Sequence, residues 1–163
     1  MPVTLSKLGC TAIDAETGLI VGGIQPDLQL VDTAYIYHSK TGQFSQINSI
    51  DTLITQIHCG RVLGADGMQT ICTSGKNDQL MRNTYAFEPS TARLERKAEW
   101  DLPGDSQGGR LLAGSNGRMF FVMRNDKVLE FTVEKVNGLH WNMMDWEVQS
   151  GYLVVVQVDY YQN

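Results

Sequence analysis

Ala34-Tyr35-Ile36-Tyr37 followed by Thr41-Gly42-Gln43-Phe44 returns later in the chain as Thr84-Tyr85-Ala86-Phe87 followed by Thr91-Ala92-Arg93-Leu94. Tyr35 to Tyr85, Tyr37 to Phe87, Thr41 to Thr91 and Phe44 to Leu94 are each 50 residues apart. Working outward, Gly9-Cys10-Thr11-Ala12 and Gly18-Leu19-Ile20-Val21-Gly22-Gly23 precede the first copy. Gly60-Arg61-Val62-Leu63 and Gly67-Met68-Gln69-Thr70-Ile71-Cys72 precede the second. A third set runs through Gly109-Arg110-Leu111-Leu112, Gly117-Arg118-Met119-Phe120-Phe121-Val122, Val128-Leu129-Glu130-Phe131 and Gly138-Leu139-His140-Trp141. Four anchors held in one register mark an internal repeat, and repeats are read before motifs because they set the whole fold.

Each copy reads as four strands. The runs are short, rich in β-branched and aromatic residues, and bounded by turn residues. Asp66-Gly67, Asn116-Gly117 and Asn137-Gly138 supply the positive φ that tight hairpins need, and Thr17-Gly18 and Thr41-Gly42 take equivalent places. Ser90–Trp100 also has the look of a short helix, but its counterpart Gly42–Ile47 makes Ala92–Glu99 a fourth strand. Four antiparallel strands in about 50 residues is the arithmetic of a β-propeller blade. The expected fold is all-β: one unit over 1–163 with blades at about 9–50, 57–100 and 109–149 and an extra strand at 151–158.

The 163 residues suit one domain with a real core. With 13 basic against 18 acidic residues the net charge is −5, which argues against a nucleic-acid partner. No apolar run approaches the length of a membrane span. Met1-Pro2-Val3-Thr4-Leu5-Ser6-Lys7 lacks the basic and apolar regions of a signal peptide, so a cytoplasmic protein is expected, or a secreted one if the N-terminus is truncated. Cys10, Cys59 and Cys72 are too few for a disulfide framework and lack metal-site spacing. With the turn at Asp66-Gly67, Cys59 and Cys72 fall out of direct register, and three buried free thiols are expected.

Gly22-Gly23 after a second strand, then Tyr37, then six residues, then the aromatic Phe44, resembles the kelch repeat. Phe87 and Leu94 keep the interval; the double glycine becomes Ser74-Gly75 and then Val122-Met123, and the usual tryptophan becomes Phe44, Leu94 and Trp141. The resemblance covers about Gly9 to Trp146 and implies a propeller.

Three blades do not close a ring, and uncovered end faces are unfavourable in water. The chain is therefore expected to be part of a larger ring, to pair with another copy, or to be completed by other chains. Pro2–Leu8 reads as a strand before the first blade. Tyr152–Val158 reads as a closing strand or the first strand of a missing blade, or as the fourth strand of the third blade if Trp141–Gln149 is a loop.

No catalytic constellation emerges. His58-Cys59 with Cys72 lacks a second histidine at ligand spacing, and Ser74 lacks the G-x-S-x-G context. Asp126, Glu130, Glu134, Asp145 and Glu147 are expected on solvent-facing sides of strands. No catalytic residue, metal ligand or cofactor site is expected. The expected function is a protein-interaction module or scaffold, with a protein partner or a homo-oligomer. Candidate contacts are Leu28 and Leu30 in the first loop between second and third strands, Lys76, Gln79 and Arg82 in the second, and Trp146. Two alternatives stand beside it. One is an enzyme like the galactose-oxidase copper proteins, for which Tyr35, Tyr37, Tyr85 and Cys72 supply residue types. The other is a carbohydrate-binding propeller using Trp100, Trp141 and Trp146.

Overall fold

The computed structural model describes residues 4–147 except 49, 52, 65–66, 74, 77–80, 104–108, 114–116, 124–126 and 135–137; at 110, 113, 127, 132–134 and 138–147 it describes the backbone only. The described chain is all-β, in three four-stranded antiparallel sheets, each a simple meander. The first holds β1 (Gly9–Ala12), β2 (Thr17–Val21), β3 (Ala34–His38) and β4 (Gln43–Gln46). The second holds β5 (His58–Gly64), β6 (Gly67–Thr73), β7 (Thr84–Glu88) and β8 (Arg93–Arg96), followed by one 3-10 turn at Ala98–Trp100. The third holds β9 (Arg110–Ala113), β10 (Met119–Val122), β11 (Lys127–Glu134) and β12 (Gly138–Glu147).

The repeat survives at the level of register. Tyr35 lies between Ile20 and Gln46 just as Tyr85 lies between Cys72 and Arg96. Alternation then gives every sheet two faces. From the first sheet Leu19, Val21 and Ala34 turn toward the second, where Cys72, Tyr85, Phe87 and Leu94 meet them, with Ile50, Ile54 and Ile57 of the connector filling the gap. Val62, Ile71 and Ala86 on the other face of the second sheet pack on Met119 and Phe131 of the third. Leu102 closes over Phe121, Met123 and Leu129. Leu19, Ile71 and Phe121 are fully buried, each a contribution of about 1.5–3 kcal/mol.

The sheets are closest at their first strands, β1 against β5 and β5 against β9. Missing side chains allow this approach. A Cβ on Gly9 would lie 2.6 Å from the Ile57 carbonyl oxygen, and one on Gly60 would lie 3.0 Å from the Met119 methyl. The double glycine has a similar reason: a Cβ on Gly22 would meet the Ile54 carbonyl at 2.5 Å, and the Gly23 N–H donates to that same oxygen. Meander topology sorts the connections into two groups. Turns from first to second and third to fourth strands share one end, the turn end. Connections from second to third strands share the other with the sheet-to-sheet connectors; this is the loop end.

Several expectations need correction. Thr17 and Gly18 belong to β2, and the first hairpin turns through residues 13–16. There the Asp14 carboxylate accepts the Glu16 and Thr17 N–H groups at 2.7 and 2.8 Å, so an aspartate closes this turn where a glycine was expected. Gly67 pairs with Gly64 as the first residue of β6. Moving the turn back by one residue shifts every partner by two, and Cys59 then lies directly opposite Cys72. The two form a disulfide with Cα atoms 4.0 Å apart, while Cys10 is free and exposed, where three buried thiols were expected. Residues 141–147 are strand rather than loop, which makes β12 the fourth strand of the third sheet. The expected closing strand at 151–158 lies outside the described residues. Of Pro2–Leu8, the described part makes one bridge, Ser6 to Ile24. Glu130, expected in solvent, is buried, and its carboxylate accepts from Arg118 Nε at 2.6 Å.

Candidate functional site

Of the expected contact residues, Leu28, Leu30, Lys76 and Arg82 lie at the loop end. Ile24 bridges Leu30, and the Gln25 N–H donates to the Gln29 carbonyl at 2.9 Å, so residues 24–30 form a small hairpin. Its tip is closed by the Leu28 N–H on the Gln25 carbonyl and by the Asp27 carboxylate, which accepts the Gln29 N–H. Leu30 is half-buried at the base of this hairpin. Leu28 stands at the tip, 81% exposed and with φ at +67°. A leucine in the left-handed region costs of order 1–3 kcal/mol and persists only where its surroundings hold it. Here the loss brings no burial.

Lys76 is joined to the connector by two backbone bonds with Thr55, and its side chain is exposed. Thr55 in turn donates its hydroxyl to the Lys7 carbonyl, which also takes the Gln56 N–H at 2.7 Å. Lys7 and Gln56 are both left-handed, at φ 52° and 55°. Arg82 is exposed on the next stretch of the same loop. Neither Lys76 nor Arg82 enters an ion pair among the described residues. The other basic residues of this region differ: Arg96 makes two bonds of 2.6 Å to Asp101, and Lys97 pairs with Glu95. Gln79 lies outside the described residues. Trp146 lies near the C-terminal end of β12, hence by topology at the loop end, and its side chain is not among those described.

A polar network under this end holds the connectors in place. Tyr85 donates its hydroxyl to Asp51 at 2.5 Å, Arg96 lies over the Tyr85 ring, and Asp101 also takes the Thr84 N–H. Burial works against the charge on Arg96, but the Asp101 carboxylate outweighs it and raises the pKa above the usual arginine value. Asn48 clamps the second sheet from the first connector, accepting the Leu94 N–H and donating to the Leu94 carbonyl. Sequence reasoning missed this network because its members are far apart in the chain and follow no motif.

The turn end carries a polar cleft of about 350 Å³ lined by Glu16, Thr17, His38, Lys40, Thr41, Gln43 and Ser45. His38 Nε2 lies 3.1 Å from the Ser45 hydroxyl, and the Glu16 carboxylate is paired with Lys40 at 2.5 Å. At the same end the Glu16 N–H and the Thr17 side chain hold the Asp14 carboxyl below its ordinary value. Of the residues considered for a copper enzyme, Cys72 is tied to Cys59 and has no thiol to offer. Among the described residues no three His, Cys, Asp or Glu side chains converge on a metal-sized site, and no helix is long and apolar enough to cross a membrane.

No family model matches the chain, and no curated protein matches it in sequence. Among solved structures it is similar to that of YjhT, with a TM-score of 0.65 and 15% sequence identity over 90% of this chain. At that identity the likeness concerns the fold. The match takes up 53% of the YjhT chain, so this chain spans about half the length of the structure it resembles.

Proposed function

We propose that the chain is an interaction module: three blades of a kelch-like β-propeller, a partial or half ring, that offers its loop end to a protein partner. The observation that carries the reading is Leu28, a large apolar side chain held in solvent, against its backbone preference, on a hydrogen-bonded hairpin. An apolar anchor projecting from an ordered loop suits the centre of a protein interface. Lys76 and Arg82, cationic in an acidic chain, supply a polar rim at the same end. The half-length match supports the half ring. The Cys59–Cys72 bond supports an oxidising compartment in place of the cytoplasm expected from the N-terminal sequence.

The test places a photo-crosslinking amino acid at 28, 76 or 82, and at 42 or 89 on the turn end, in extract from the source cell. The reading expects one partner to be captured from the first three positions and not from the last two. Equal capture from both ends, or capture from the turn end alone, would overturn it.

A further inference from the structure

Backbone pairing at the loop end extends beyond the Leu28 hairpin. Ser6 exchanges two backbone bonds with Ile24 at the base of that hairpin, at 2.9 and 2.8 Å. The next residue, Lys7, offers its carbonyl to the Thr55 hydroxyl and the Gln56 N–H, and Thr55 in turn exchanges two backbone bonds with Lys76. Residues 24–30, 6–7, 55–56 and 76 therefore form one continuous hydrogen-bonded strip. The Met81 N–H donates to the Gly75 carbonyl at 2.9 Å, which returns the loop to the strip just before Arg82. Lys7, Leu28, Gln56, Lys76 and Arg82 are all exposed. Of the four described non-glycine residues with positive φ, three stand on this strip: Lys7, Leu28 and Gln56. Backbone strain of this kind concentrates at binding and switch sites, and here it is gathered on one surface. The charge on the strip is one-sided. Lys7, Lys76 and Arg82 enter no ion pair among the described residues, and the one described carboxylate of the strip, Asp27, already accepts the Gln29 N–H.

We infer that this strip receives an acidic segment of a protein partner, whose carboxylates meet Lys7, Lys76 and Arg82 around the Leu28 contact. The inference rests on the loop-end reading; it adds Lys7 to that surface and names the chemistry of the partner. Charge complementarity selects the class. The chain as a whole carries a net charge of −5, so a long polyanion such as a nucleic acid, or an extended anionic membrane, is repelled by the remainder of the surface. A short acidic segment keeps its charge on the strip. Contacts between exposed cations and carboxylates steer encounter and are screened by salt.

The probe is a fluorescein-labelled peptide of about ten glutamates, titrated with the full chain and read by fluorescence anisotropy at about 20 and about 200 mM salt. The expected result is binding at low salt that weakens about tenfold at high salt. Lys7 and Lys76 hold the strip through backbone atoms alone, so Lys7→Glu with Lys76→Glu should leave the circular dichroism spectrum unchanged and weaken peptide binding about tenfold or more. Lys40→Glu with Arg93→Glu makes the same change in net charge at the turn end and should bind within about twofold of wild type. Wild-type chain that does not bind the peptide would overturn the inference without needing any variant to fold. Equal losses in the two double variants would overturn it too, because net charge rather than the strip would then govern binding. Equally tight binding to a DNA duplex of about ten base pairs, or to phosphatidylserine vesicles, would overturn the choice of a protein segment. Partner capture from position 28 that survives Lys7→Glu with Lys76→Glu would overturn the acidic segment and leave the loop-end reading standing.

Discussion

Leu28 and Gly117 show what a single residue contributes to this architecture and how much of it can be read ahead. Leu28 was legible as an apolar residue in a polar loop; its left-handed backbone was not, because that conformation is set by the Gln25–Gln29 pairing around it. The positive φ of Gly67 and Gly117 was expected from their turn context, and both have it, at +111° and +71°. Their surroundings differ. A Cβ on Gly67 would meet nothing within 4 Å, whereas one on Gly117 would lie 2.5 Å from the Leu63 Cβ and 2.9 Å from its backbone nitrogen. Gly67→Val should therefore cost backbone strain alone, about 1–3 kcal/mol. Gly117→Val should cost distinctly more, because β5 or the turn must also shift. Equal losses by calorimetry would mean that the Leu63 contact carries no weight.

At the scale of the element, four strands per repeat were legible because alternation and turn residues recur in all copies. Register was less so. Displacing the β5–β6 turn by one residue hardly changes the hydrophobic pattern, yet it decides whether Cys59 faces Cys72. The first hairpin, too, hid its turn in an aspartate, since Asp14 does with a carboxylate what glycine does with its backbone. The disulfide joins residues 13 apart on adjacent strands of one hairpin and lies against the cluster between the first two sheets. Denatured but unreduced protein should expose one reactive thiol, that of Cys10, and reduction should expose three. Reduction should also lower stability by about 2–4 kcal/mol in denaturant titrations. Three reactive thiols before reduction would refute the pairing and with it the argument for an oxidising compartment.

For the whole molecule, the repeat made three sheets legible from the sequence, and these approach most closely at β1, β5 and β9. What lies beyond the two end faces was not legible, because a repeat fixes how neighbouring sheets meet and says nothing about how many follow. On the proposed reading these sheets are half of a closed ring. Small-angle X-ray scattering at high concentration, where a second copy would complete the ring, tests that reading most directly. A closed pair of about 330 residues should have a radius of gyration of about 20 Å, the value for one compact domain of that size. A markedly larger radius, with the scattering of an elongated end-to-end particle, would contradict the ring.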